Sequence, residues 1–160
     1  MSLSLRQEQS GAIREDLSNR FFDETSELRG IAKIILTFAP ECFEDAKGVV
    51  FKMFFTNQKL KHDGRCKKLD DAVRFKLKVD YFIILRKDDF DKMSRIEKAR
   101  LLIHELHHMK KDKKGLPTIR DHNDIEDFCE LPRHDLYSEK VLEKIKSQLE
   151  APRLESDIEA

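Results

Sequence analysis

Residues His104-Glu105-Leu106-His107-His108 contain the pattern H-E-x-x-H, and no other stretch constrains the chain so tightly. The pattern has chemical meaning only on a helix. There, residues four apart sit one above the other, so the imidazoles of His104 and His108 share a face. Two imidazoles placed that way can hold one tetrahedral zinc ion, and Glu105 beside them can reach a water on that ion. Zinc brings the pKa of such a water to about 7, where a carboxylate can act as general base. The pattern therefore predicts zinc as cofactor, His104 and His108 as ligands, and Glu105 as the catalytic base of a hydrolase.

A four-letter pattern arises by accident in about one chain in fifty of this His and Glu content, so its context decides. Ser94-Arg95-Ile96-Glu97 reads as a capping box, which starts a helix at Ser94. No Gly or Pro interrupts the run before Gly115. Ile96, Ala99, Ile103 and Leu106 recur at spacings of three and four and form a core stripe. At 100° per residue, His104 and His108 fall on roughly the opposite side, so one flank packs on a sheet while the other faces a cleft. His107 lies nearer the packed side and is read as structural. The plain alternative is an amphipathic helix with two idle surface histidines.

Two histidines do not complete a catalytic zinc site, which takes three protein ligands and a water. His122 is the first choice for the third. It follows His108 by 14 residues, past a loop with Gly115 and Pro117 that can reverse the chain. His134 is the second choice and Glu126 the third. Asp121, Asp124 or Asp127 could orient a ligand histidine. Arg133, His134 and Tyr137 are the available donors for a developing oxyanion.

Elsewhere the chain reads as a mixture of helices and strands. Leu28, Ile31, Ile34, Ile35 and Phe38 imply a helix ending before Pro40. Val49 to Phe55 is a strand by its β-branched and aromatic content, and Asn57 to Gly64 is a polar turn. Residues 70–80 fit two descriptions. Val73, Phe75, Leu77 and Val79 alternate with Arg74, Lys76 and Lys78 as in a strand, yet Asp70 could cap a short helix. Tyr81 to Leu85 is a short buried strand. The basic run Lys110 to Lys114 with Gly115 suits the C-terminal end of the motif helix. Asp121 to Phe128 opens a further helix, Pro132 interrupts it, and Glu139 to Glu150 is a last amphipathic helix.

A length of 160 residues suits one domain. The reading divides the chain into a polar N-terminal arm over residues 1–24, a domain over 25–150 and a disordered tail over 151–160. Lys plus Arg and Asp plus Glu number 31 each, so no global basic field points to nucleic acid. The local cluster Lys59, Lys61, Arg65, Lys67 and Lys68 reads as a solvated face, and keeps a DNA-associated reading open. Cys42, Cys66 and Cys129 are odd in number and widely spaced, as in a reduced cytoplasmic protein. No apolar run approaches the roughly 20 residues of a membrane span, so no membrane partner is expected.

Asp80-Tyr81-Phe82-Ile83-Ile84-Leu85, then a charged turn, then Ala99 to His108, resembles the phage-type metallopeptidases, small H-E-x-x-H proteins of phages, bacteria and archaea. The resemblance spans roughly residues 25 to 138. It implies an α+β fold, a minimal zincin-like domain with a small sheet packed against the H-E-x-x-H helix and further helices. It implies a metallopeptidase acting on a protein or peptide substrate. A more distant likeness to SprT-like proteases implies action near DNA. A non-catalytic, metal-stabilised module that binds a partner protein is the rival from outside enzymology.

Overall fold

The computed structural model describes residues 17–121 and 136–151. They form an α+β fold built on a small mixed sheet. Strands β1 (Phe21–Asp23), β2 (Phe51–Thr56), β3 (Gly64–Lys68) and β4 (Tyr81–Arg86) lie in the order β1-β2-β4-β3. β2 and β4 run parallel, while β1 and β3 are antiparallel edges. β2 and β4 meet in register through Phe51 with Tyr81, Met53 with Ile83 and Phe55 with Leu85. These side chains point to the same face, because alternate residues of a strand do. They build the core with Leu28, Ile31 and Ile35 of helix α1 (Ser26–Phe38) and with Leu102, Ile103 and Leu106 of helix α4 (Arg95–His107). Val141, Leu142, Ile145 and Leu149 of helix α5 (Leu136–Glu150) close the cluster. Burial of such side chains contributes about 1.5–3 kcal/mol each.

The first helix keeps its predicted place. The Thr25 hydroxyl accepts from the Leu28 N–H, and Pro40 follows its end at Phe38. The ambiguity over residues 70–80 resolves as helix α2 (Asp71–Leu77). Asp70 accepts from the Val73 N–H, and the Arg74 guanidinium bonds both Asp71 and Asp80. The strand alternative fails because these caps satisfy the backbone locally, leaving Phe75 and Leu77 exposed on the helix surface. A short helix α3 (Lys87–Lys92) then leads to α4.

The C-terminal end of the motif helix differs from expectation. α4 stops at His107, and the basic run belongs to a hairpin of β5 (Met109–Lys111) and β6 (Pro117–Ile119). Gly115 does adopt a left-handed conformation, φ +80°, but it serves the hairpin turn. There the Asp112 side chain accepts from the N–H groups of Lys114 and Leu116. This local bonding replaces the carbonyl partners a longer helix would have needed. Edge strands β1 and β3 have no counterpart in the sequence reading. Of the arm expected over residues 1–24, residues 17–24 are described and include β1; residues 1–16, the predicted helix over 121–128 beyond Asp121, and the tail beyond Ala151 lie outside the described residues. Among the described residues no helix is long and apolar enough to cross a membrane.

Candidate metal centre

α4 begins where its capping box requires. The Ser94 hydroxyl accepts from the Glu97 N–H at 3.2 Å, and the Glu97 carboxylate accepts from the Ser94 N–H at 2.9 Å. Two and a half turns later the helix presents His104, Glu105 and His108 together. One potential ligand atom from each lies within 4.8 Å of the others. The two imidazoles have ring centroids 5.1 Å apart and cross at 77°, edge to face.

His108 is held from outside the helix. Its Nδ1 is 2.7 Å from the carbonyl oxygen of Arg120, just past β6. A carbonyl can only accept, so Nδ1 carries a proton, and in the neutral imidazole Nε2 is then the nitrogen with the lone pair. That tautomer is the one a metal-ligating imidazole needs, with its second nitrogen anchored by a backbone carbonyl. The Arg120 N–H in turn donates to the His108 carbonyl at 2.8 Å. The Arg120 guanidinium donates to the His107 carbonyl at 2.8 Å and to Asp45 at 3.1 Å. A cation thus sits on the terminal carbonyls of α4, where the helix dipole favours it. The hairpin bearing Arg120 is pinned to the sheet by Tyr81. Its hydroxyl lies 3.0 Å from the Lys110 carbonyl and 2.7 Å from that of Thr118, and burial pushes its pKa up to about 12.

Glu105 is only 3% exposed, and burial pushes its carboxyl pKa up to about 8. It lies against the edge strand β3, where the Cys66 N–H donates to it. Gly64 makes room: a Cβ there would stand 3.2 Å from Oε1 of Glu105 and 2.8 Å from a terminal carbon of Leu85. The other carboxylate oxygen, Oε2, is buried with no hydrogen-bond partner among the described residues. A lone buried carboxylate oxygen beside two imidazoles suits a cation or a water, since leaving it bare costs free energy. Two imidazoles one helical turn apart are donors that zinc takes, and the carboxylate beside them is placed to reach a water on such an ion.

The predicted cleft side is more enclosed than the helical pattern implies. His104 is half-buried, but His108 is only 8% exposed. β3 covers the Glu105 side and the β5–β6 hairpin covers His108, and helical periodicity carries no information about either neighbour. The predicted stripe holds at Ala99, Ile103 and Leu106, with Leu102 also buried and Ile96 half-buried. His107 stands apart from the cluster and stacks on the Tyr137 ring at 3.6 Å and 9°. Tyr137 is engaged elsewhere than in an oxyanion site, since its hydroxyl donates to the Cys42 carbonyl. Asp121 is exposed. His122, Glu126, His134, Asp124, Asp127 and Arg133 lie outside the described residues.

Sequence reasoning missed Arg120, Cys66, Tyr81 and Gly64 as parts of this site. The first two contribute backbone groups, which no residue pattern reveals. Gly64 carried a usable signal, because a glycine at a strand often marks a close approach. A family model described as "Putative phage metallopeptidase" matches residues 18–151. No curated protein and no solved structure matches the chain.

Proposed function

The chain belongs to the phage metallopeptidase family, and from that premise we propose that it is a zinc-dependent peptidase acting on protein or peptide substrates. The observation that carries this reading is the His104–Glu105–His108 cluster, with the Nδ1 of His108 tied to the Arg120 carbonyl. His104 and His108 would hold the ion through nitrogen. His122 is our third ligand, ahead of His134 and Glu126. The tether supports that order: the Arg120 carbonyl is already 2.7 Å from the His108 ring, and two residues of chain span at most about 7 Å. Our reading keeps the catalytic domain at residues 25–150, with β1 of the preceding arm paired to its sheet, and reduced Cys42 and Cys66 suit the cytoplasm.

When bound, zinc supplies Lewis acidity that acidifies water and polarises a carbonyl. Glu105 then has the proton work. Beside a bound dication the buried carboxyl would be ionised, and as carboxylate it takes a proton from the attacking water and returns it to the leaving amine nitrogen. The Cys66 N–H holds the carboxylate, and Oε2 has no hydrogen-bond partner among the described residues, which leaves it available for this proton transfer. Burial keeps bulk water from competing for that proton.

One observation favours a second reading. Glu105 and His108 are nearly inaccessible, as they would be in a metal-stabilised module without catalysis. The test is zinc content per chain, followed by peptide hydrolysis. One zinc that disappears in His104→Ala and His108→Ala supports the site, and negligible zinc under metal-replete conditions would overturn it. Glu105→Gln retains zinc and loses hydrolysis in the peptidase, whereas unchanged function in that variant would assign the module instead.

A further inference from the structure

The sheet has a second face, which the metal centre does not use. We propose that this face binds single-stranded nucleic acid. The register carries the argument. The residues between the core positions point away from α1 and α4. Across the strands they form the row Lys52, Phe82, Lys67 and the row Asp23, Phe54, Ile84, Arg65. Phe21, Phe54 and Phe82 form a chain of edge-to-face contacts, with centroids 5.8 Å and then 5.1 Å apart. All three rings are partly exposed. Lys52, Arg65 and Lys67 are exposed around them, and none has an ion-pair partner among the described residues.

Charge selects the occupant. Between residues 59 and 78 the chain carries eight Lys or Arg against three Asp, although its charges balance overall at 31 and 31. The excess gathers on β3 and the segments beside it, while Asp23 sits on β1 at the opposite edge. Arg86 shares the face but is engaged by Asp89. A second copy laid on this face would bring three unpaired cations against three more, which repel. A bilayer calls for apolar side chains that protrude, whereas Phe54, Phe82 and Ile84 are half-buried in the sheet. Aromatic faces interleaved with unpaired cations suit a polyanion whose bases can stack, which is how sequence-tolerant single-strand binders work. A duplex would hide its bases and leave the rings unused. The inference stands independently of the peptidase reading.

The test is fluorescence anisotropy of a labelled oligothymidylate with the full-length protein. Three phosphate contacts at a slope of about −0.7 each predict roughly a twentyfold loss of affinity between about 50 and 200 mM salt. Lys67→Glu and Arg65→Glu should each weaken binding about tenfold and flatten the salt slope, and both lie on the surface where folding tolerates them. Phe82→Ala should weaken binding by at least about fivefold through lost stacking. Lys113→Glu, in the β5–β6 turn, should bind like the wild type. Absence of salt-sensitive binding would overturn the proposal, and so would wild-type affinity in Lys67→Glu and Arg65→Glu. An equal loss in Lys113→Glu would reduce the effect to unspecific charge. Binding to phosphatidylserine vesicles with the same dependence on Phe82 and Lys67, without binding to the oligonucleotide, would assign the face to lipid instead.

Discussion

Glu105→Gln should change how the metal-free protein's stability depends on pH. In the fold, burial lifts the carboxyl from its ordinary 4.5 to about 8. Between those values the unfolded chain has lost the proton and the folded one retains it. Unfolding is therefore favoured as pH rises, because the folded state binds more protons there. At 1.36 kcal/mol for each pH unit, the wild type forfeits about 3 kcal/mol by pH 7 and about 5 kcal/mol once pH passes 8. Gln does not titrate. Its carbonyl can still accept from the Cys66 N–H, but its amide replaces Oε2 where no partner lies within reach, a pH-independent cost of about 1–3 kcal/mol. The wild type should thus be the more stable at about pH 5, and the variant should equal or exceed it at about pH 9. Urea unfolding of both proteins in a chelating buffer at about pH 5, 7 and 9 gives the comparison from midpoints and slopes. Parallel stability profiles across that range would refute the argument, since they would mean that Glu105 ionises as readily in the fold as outside it.

Three further substitutions test the scaffold. Gly64→Ala should cost about 1–3 kcal/mol in denaturant unfolding, because the new methyl stands 2.8 Å from the Leu85 side chain and 3.2 Å from Oε1 of Glu105. Tyr81→Phe removes the donor shared by the Lys110 and Thr118 carbonyls; a loss of about 1–3 kcal/mol is expected, and titration with a zinc indicator should show weaker binding as the Arg120 hairpin loosens. Ser94→Ala breaks one arm of the capping box and should cost about 1 kcal/mol in thermal denaturation with zinc stoichiometry unchanged.

Some of the fold was legible residue by residue. Ser94 and Glu97 announce the start of α4 because a capping box is a local device, complete within four residues. Pro40 marks the end of α1 just as locally. Tyr81 to Leu85 reads as a buried strand from its unbroken apolar run. The opposite holds for Val73 to Val79, where alternation imitated a strand and the Asp70 cap with the Arg74 bridges to Asp71 and Asp80 decided for helix. β1 and β3 escaped notice because a short edge strand needs little apolar content; its existence depends on a partner far along the chain.

The sequence alone determined that His104 and His108 would share one side of a helix, since a spacing of one helical turn settles that without help from the rest of the molecule. Tertiary structure decided what that side meets. It set β3 against Glu105, brought the Arg120 carbonyl to His108, and left Lys52, Phe82 and Lys67 in one row on the far face of the sheet. Each of these relations joins residues well separated in the chain, through backbone groups or strand register. Local spacing does not encode such contacts; packing selects them from the arrangements that bury the same apolar side chains.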